Sequence, residues 1–367
     1  MIYYVVFWFL AILAFFEVFM KQRKVVGVQK KIAIVLIAII LVALAGLREG
    51  VGIDIRSYYQ DFLLIKNGTL SVSNINLELG YSLLNYISPS FRWLLLTMAI
   101  LCVGIRFKAF KKNQIKYLVL AIFFYYGTDY LFYDMGIMRQ GLSISICLFS
   151  LPMVEKRDKR FFIYIVIAAL FHISAFLFVL IWFISNKEYT RRFYYTCIGV
   201  ATVFFLGGIV YTGILNQIIN SIGSAYLKHK FNKYMTYSQV DLTISFVRRV
   251  VFLILFVEAF KRRGIRLGSV LLPKRQVKDT TWLHINGYFL SVVLFGIFTP
   301  LFSSVAGRMT SMFYTLHSFV YCDMLEDKHQ QIANLVWFIA FTLLLFETFN
   351  GSVNDVNGNY LPYAWSW

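Results

Sequence analysis

The chain has 367 residues, 59% of them hydrophobic and 15% charged, with a formal net charge of +18. A soluble domain carries about 25% charged residues. This composition, with a mean hydropathy of +0.67, therefore excludes a water-soluble globule and makes lipid the solvent. The basic excess does not indicate a nucleic-acid partner, because the lysines and arginines lie in short segments between apolar runs, where membrane topology puts them.

Apolar runs long enough to cross a hydrocarbon core of roughly 30 Å recur from end to end. The predicted spans are 2–20, 31–47, 91–106, 117–133, 137–154, 193–213, 242–260, 281–300, 303–322 and 331–349. With an interrupted segment over 160–186, they give an all-α polytopic bundle of about 10 full spans and 10–12 helices, and 1–367 is one integral membrane domain. The first run, Ile2 to Met20, lacks a basic leader and a small-residue cleavage site, which predicts a retained helix. Cys102, Cys147, Cys197 and Cys322 fall in or beside spans without CxxC spacing, so neither a zinc site nor a disulfide framework is indicated.

Charge sets the predicted orientation. With 21–31 in the cytoplasm, the segments 21–31, 106–116, 155–160, 187–192, 261–278 and 323–330 hold 25 of the 36 lysines and arginines. That bias places both termini, a first outer loop at 48–90 and a second at 214–241 on the non-cytoplasmic face. As one helix, 160–186 would be about 39 Å long, enough to cross. Crossing, however, would put KRRGIRLGSVLLPKRQVK outside. A hairpin of two short helices, bent near Phe171-His172 with both ends inside, keeps the bias. Backbone bends at that depth only where protein or a wet cavity surrounds it, so the bend marks a candidate site.

Charge inside lipid costs about 2.5–3.5 kcal/mol per residue on insertion scales, so ionisable residues at the outer ends of spans are informative. The segment LREGVGIDIRSYYQDF supplies Arg48, Glu49, Asp54, Arg56 and Asp61, interleaved with Tyr58 and Tyr59. Guanidinium groups suit phosphate, and tyrosine faces suit sugar rings or lipid headgroups. An interfacial turn with a snorkelling Arg48 accounts for the same residues. Next, NINLELGYSLLNYISPSFRWL predicts an interfacial helix with Glu78 and Tyr81, then Arg92 at a span entrance. Arg139 follows Asp129 and Asp134 and is either half of a structural ion pair or an anion receptor.

His172, at the predicted bend, is either a packed core histidine or a proton acceptor, since imidazole titrates near neutrality. Arg248 and Arg249, at the outer end of their span, suit headgroup contacts only. Arg308 lies roughly 8 Å below the outer edge of its span. No acidic residue stands within ten positions of it, so it calls for an anion from elsewhere. There is no GxGxxG, GxxxxGK[ST], HExxH or GxSxG, and no aspartate-x-aspartate metal motif. No cofactor and no metal are predicted, so an enzyme here would draw on an activated, membrane-embedded substrate.

In this order the residues resemble the EpsG-like branch of the Wzy-type polysaccharide polymerases. The matching elements are Arg48 to Tyr58 with glycine and aspartate between, Glu78-x-Gly80-Tyr81, Arg139-Gln140, Phe171-His172-x-Ser174-Ala175, Arg308 with Tyr314, and Pro362-Tyr363. The resemblance spans essentially the whole chain. It implies a multi-pass glycosyltransferase of the bacterial cytoplasmic (inner) membrane, its active site facing the periplasm or the cell exterior. Such enzymes move a growing glycan from one undecaprenyl diphosphate onto the non-reducing end of the next lipid-linked repeat unit, building O-antigen, capsule or exopolysaccharide. On that mapping Arg48, Arg139 and Arg308 hold the diphosphate. His172, or alternatively Asp54 or Glu49, takes the acceptor's proton, and Tyr58, Glu78, Tyr81 and Gln140 meet sugar or other parts of the substrate. A single displacement would invert the anomeric centre, whereas two carboxylates about 5 Å apart would favour double displacement.

The implied partners are undecaprenyl-diphosphate-linked oligosaccharides and membrane lipid, with a flippase and a chain-length-determining co-polymerase alongside. Three other readings compete. A ligase would pass finished glycan to another acceptor with the same arginine and histidine logic. A flippase would show inverted repeats or charge through both leaflets, and neither is visible. A membrane acyltransferase would need an acid beside its histidine, but none lies within ten residues of His172.

Overall fold

A computed structural model describes residues 1–20, 27–69, 78–184, 187–208, 217, 239–261, 266–267, 270–271, 279–300, 303–325, 331–355 and 357–365. Most of the predicted second outer loop, 214–241, lies outside the described residues. The chain divides into two compact units, Met1–Phe176 with Tyr321–Trp367, and Leu177–Val320.

In the first unit the helices are α1 (Ile2–Phe19), α2 (Gly27–Gly46), α3 (Ile55–Lys66), α4 (Leu79–Ile87), α5 (Phe91–Lys112), α6 (Leu118–Tyr125), α7 (Met138–Glu155) and α8 (Arg160–Ala169). An 11-residue π-helix, Tyr126–Gly136, joins α6 to α7. The long C-terminal helix Gln331–Val353 returns to pack on α1 and the π-helix. α7 is the hub, packed between α5 and α8 and buried over nearly its whole length. Gly141, Ser143, Ser145 and Ser150 lie among its buried residues, and small side chains let neighbouring helices approach closely. A Cβ on Gly141 would stand 2.7 Å from the Tyr133 carbonyl, which shows how tightly the π-helix is drawn in.

The outer helices carry the opposite signature. Val5 and Ile12 on α1, Val35 and Ile39 on α2, and Val336 and Leu343 on the C-terminal helix are all more than half exposed. Contiguous apolar surface of this kind is unstable in water and at home against lipid tails. α4 is amphipathic in an inverted sense. It buries Tyr81, Ser82 and Asn85 and turns Leu83, Tyr86 and Ile87 outward, as an interfacial helix does.

Among the described residues, the second unit holds Arg191–Leu206, Gln239–Lys261, Asp279–Phe298 and Ser303–Tyr314 as its main helices, and a two-residue antiparallel pair, Arg266–Leu267 with Val270–Leu271. Glycine gives close approach here as well: a Cβ on Gly296 would meet the Ala201 carbonyl at 2.8 Å.

Apart from that strand pair, the regular structure of the described residues is all-helical, as predicted. Among the described residues five helices are both long and apolar enough to cross a bilayer: Ile2–Phe19, Gln29–Gly46, Phe91–Lys112, Thr280–Phe298 and Gln331–Val353. Hydropathy alone does not show where a helix changes type or stops. The predicted span 117–133 divides into α6 and the π-helix, and 303–322 into Ser303–Tyr314 and His317–Met324. Gln239–Lys261 has the length but carries Asp241, Arg248, Arg249, Glu258 and Lys261.

Candidate functional site

The start of the 48–90 segment is held by backbone rather than by charge. Arg48 is buried, and its guanidinium donates to the carbonyls of Ala45, Val51 at 2.8 Å and Met135 at 2.9 Å. Gly52, at φ +124°, brings the loop against Met135 in a conformation that a side chain would strain. The C-terminal tail closes over the loop. The Glu49 N–H donates to Ala364 O at 2.9 Å, the Gly52 N–H to Asn359 O at 2.8 Å, and Arg48 bridges to Trp365. Tyr360 and Tyr363 anchor that tail through hydroxyl donation to Leu131 O and Leu44 O. Asp54 occupies the N-cap position of α3 without a side-chain capping hydrogen bond, and Glu49 is exposed.

Beyond this turn, α3 buries Ile55, Tyr58, Phe62 and Ile65 on one face, so Tyr58 points inward while Asp61, one turn later, reaches the same side. Arg139, at the start of α7, sits over both Tyr58 and Tyr81, with its guanidinium carbon 5.5 and 5.2 Å from the ring centroids. The two rings are themselves 5.6 Å apart. One Arg139 nitrogen is 2.8 Å from a Glu78 carboxylate oxygen, and the two side chains remain 23% and 20% exposed. The carboxylate that neutralises Arg139 thus comes from the 48–90 segment, 61 residues away in sequence, and not from the neighbouring Asp129 or Asp134. Burial pushes the Asp61 carboxyl above its usual range; nearby Arg139 opposes the shift and Glu78 adds to it. Burial also pushes the Tyr58 hydroxyl up to about 12, so it stays a donor.

The helix interruption at Leu170–His172 lies beside this cluster. The Gly80 N–H donates to Leu170 O at 2.8 Å, and a Cβ at Gly80 would stand 2.9 Å from that oxygen and 3.2 Å from the Phe171 ring. Only glycine lets α4 start so close to the interruption. His172 is half-buried, and its Nδ1 accepts the Ser174 backbone N–H at 3.3 Å with the Ser174 hydroxyl 2.7 Å away. Accepting from the Ser174 N–H requires the tautomer of His172 that is protonated on Nε2.

The model of the EpsG family matches residues 31–365. The chain belongs to the EpsG family. This is the family of Wzy-like polysaccharide polymerases, which makes the protein a membrane polysaccharide polymerase. Comparison with curated proteins finds no match, and comparison with solved structures finds none either.

Within this EpsG-family chain, Tyr58, Glu78, Tyr81 and Arg139 meet in one cluster, and the Phe171-His172 interruption abuts it through Gly80. Gln140 is buried beside Arg139 in α7. Arg308 is exposed on Ser303–Tyr314 of the second unit. Among the described residues of that unit, Arg249 is buried and held between the rings of Phe295 and Tyr314 at 4.4 and 4.2 Å. Nearby hydrophobic residues hid that sandwich from sequence reading, since both rings are remote in the chain.

Arg106 corrects a second expectation. The charge tally puts it in a cytoplasmic segment, but it is fully buried in α5, 3.2 Å from Asp129, and donates through Nε to Ser145 at 3.1 Å. Its guanidinium lies over Tyr125, whose hydroxyl donates to Asp134. Both acids that precede Arg139 therefore belong to this sealed network. Removing Arg106 from the inner tally leaves the sign of the charge bias unchanged. Asp61 and Arg106 were visible as charged residues, but nothing local in the sequence names their partners.

Proposed function

We propose that this EpsG-family chain is a glycosyltransferase that joins polyprenyl-diphosphate-linked oligosaccharide repeat units at the outer face of the cytoplasmic membrane. The observation that carries the reading is the half-open Arg139–Glu78 pair, set on Tyr58 and Tyr81 beside the interruption at His172. Aromatic faces with a charged hydrogen-bonding pair suit a sugar ring and its hydroxyls.

In the proposed step, an acceptor hydroxyl oxygen attacks the donor's anomeric carbon, the new C–O bond forms, and the bond to the diphosphate oxygen breaks. The leaving diphosphate takes the bonding electrons. The hydroxyl proton goes to a carboxylate, for which Asp61 is our first candidate, because burial raises its basicity and it faces the same cluster. Asp54 and Glu49, earlier in the chain, are the alternative bases. His172, with its proton on Nε2, acts in this scheme as a donor to developing negative charge rather than as the base. Arg48, whose guanidinium is engaged by three carbonyls, is assigned a positioning role. Arg139 orders Glu78 and the acceptor rather than the diphosphate. The outer-face placement is supported by the charge bias of the loops.

The test is purified protein with polyprenyl-diphosphate oligosaccharide, without nucleotide or metal. A ladder of products supports the reading. Intact substrate with no chain growth, or its translocation alone in sealed vesicles, refutes it.

A further inference from the structure

The π-helix Tyr126–Gly136 is long for its type. An i→i+5 winding occurs mostly as a single turn inside an α-helix, so 11 residues of it need support from their surroundings. The winding has a direct consequence. Asp129 and Asp134 are separated by about 140° in an α-helix but by one hydrogen-bonded turn in a π-helix. Both acids therefore join one network, Asp129 on Arg106 and Asp134 on Tyr125, and Arg139 is left to Glu78. The chain then enters α7 through one more bond of the same kind, from the Ile137 N–H to Phe132 O at 2.9 Å, just before Arg139.

The support comes from outside the helix. Arg48 donates to Met135 O at 2.9 Å and the Asp54 N–H to Gly136 O at 3.4 Å, so the turn at 48–54 caps carbonyls at the end of the π-helix. The C-terminal segment adds Tyr360, which is buried. Its hydroxyl donates to Leu131 O at 2.9 Å and sits against Gly136, where a Cβ would stand 2.6 Å from the hydroxyl oxygen and 3.4 Å from Leu131 O. Leu131 and Gly136 are also five positions apart. They stack in a π turn and diverge in an α turn, so one hydroxyl meets both only in the π winding. Tyr360 is itself pinned on either side, by the Gly52 N–H on Asn359 O and the Glu49 N–H on Ala364 O.

We propose that Tyr360 is a positioning residue for the polymerase reaction: it locks the last turn of the π-helix, and the locked turn aims Arg139 at Glu78. Loosening that turn lets the chain relax toward α winding, which swings the entry to α7 and parts Asp134 from Asp129. Arg139 then meets Glu78 for a smaller share of the time. The inference rests on the proposed role of the Arg139–Glu78 cluster in chain extension.

Two substitutions test the lock from opposite sides. Tyr360→Phe removes only the hydroxyl, and Gly136→Ala puts a methyl group where the hydroxyl sits. Full-length protein in phosphatidylcholine nanodiscs is followed by amide hydrogen exchange and by steady-state kinetics on polyprenyl-diphosphate oligosaccharide. Tyr360→Phe should speed exchange over 131–137 about fivefold, the scale of one lost hydrogen bond, while α5 and the C-terminal helix exchange as in wild type. Its kcat for chain extension should fall by a similar factor with KM unchanged. Gly136→Ala should lose more on both measures. In the double variant the hydroxyl that the methyl group would strike is gone, so both measures should return to the level of Tyr360→Phe instead of adding the two losses. Additive losses, or unchanged exchange in Tyr360→Phe, overturn the lock. Faster exchange with unchanged kcat overturns the positioning role and leaves Tyr360 a structural residue. If wild type forms no ladder, the polymerase reading fails by itself, and exchange in the single and double variants still decides the lock.

Discussion

Two arginine–carboxylate pairs in the same unit differ in how far the fold closes them off. Arg106–Asp129 is sealed, with both side chains at 0% exposure, and is completed by Ser145 and Tyr125. Arg139–Glu78 has similar geometry and also lies over aromatic rings, yet about a fifth of each side chain reaches the surface. A sealed pair holds helices together and meets no ligand. A half-open pair can exchange part of its hydrogen bonding with a bound molecule. The difference lies in which element brings the acid: the π-helix buries Asp129 within the bundle, whereas Glu78 stands at the start of α4.

The sharpest way to break this contrast is to remove each arginine. Arg106→Ala leaves Asp129 buried without its partner, and such losses typically cost about 3–5 kcal/mol. Protein yield in the membrane and melting temperature in detergent should both fall steeply, with or without substrate. If Arg106→Ala folds like wild type, the sealed pair is not structural. Arg139→Ala should do the reverse: normal yield, but polymerisation reduced by at least ~100-fold, the scale on which loss of an active-site donor is felt. Arg139→Lys should recover little, because an ammonium cannot lie flat over Tyr58 and Tyr81 while meeting Glu78. Normal chain lengths in either variant would remove this cluster from the chemistry.

Gly80→Val tests whether the cluster and the helix interruption act together. Its side chain must displace Leu170 O or Phe171, so activity should drop more than tenfold, an overpacking cost of about 1–3 kcal/mol, with only a modest loss of melting temperature. The pH dependence is subtler. Because burial raises the Asp61 carboxyl, the folded chain holds that proton more tightly than the unfolded chain does. Ionised Asp61 therefore opposes folding once pH exceeds the folded-state value, and the opposition disappears below the unfolded one. Asp61→Asn should leave stability at neutral pH unchanged or higher. It should also abolish the acid-side fall in rate, which in wild type should centre above the usual carboxylate range. An unaltered pH profile would pass the base role to another group. The smallest effect belongs to Ser174→Ala, which removes one hydroxyl from His172 Nδ1 but keeps the backbone donor. A loss of about fivefold in kcat, near 1 kcal/mol, is expected with KM unchanged.

What could be read from the chain alone follows from this contrast. Lipid as solvent, an all-helical fold and family membership depend on composition and on the order of short motifs, and those are properties of the chain. The candidate residues stood out equally, because charge is scarce in apolar runs. Their partners did not. Arg139 stands near Asp129 and Asp134 in sequence, but the π-helix turns both acids toward Arg106 and leaves Arg139 to Glu78. Sequence determines which groups the membrane must tolerate. Only tertiary structure decides which of them neutralise one another and which still face a ligand, because Coulomb attraction and desolvation act over a few ångströms of space, whatever the separation along the chain.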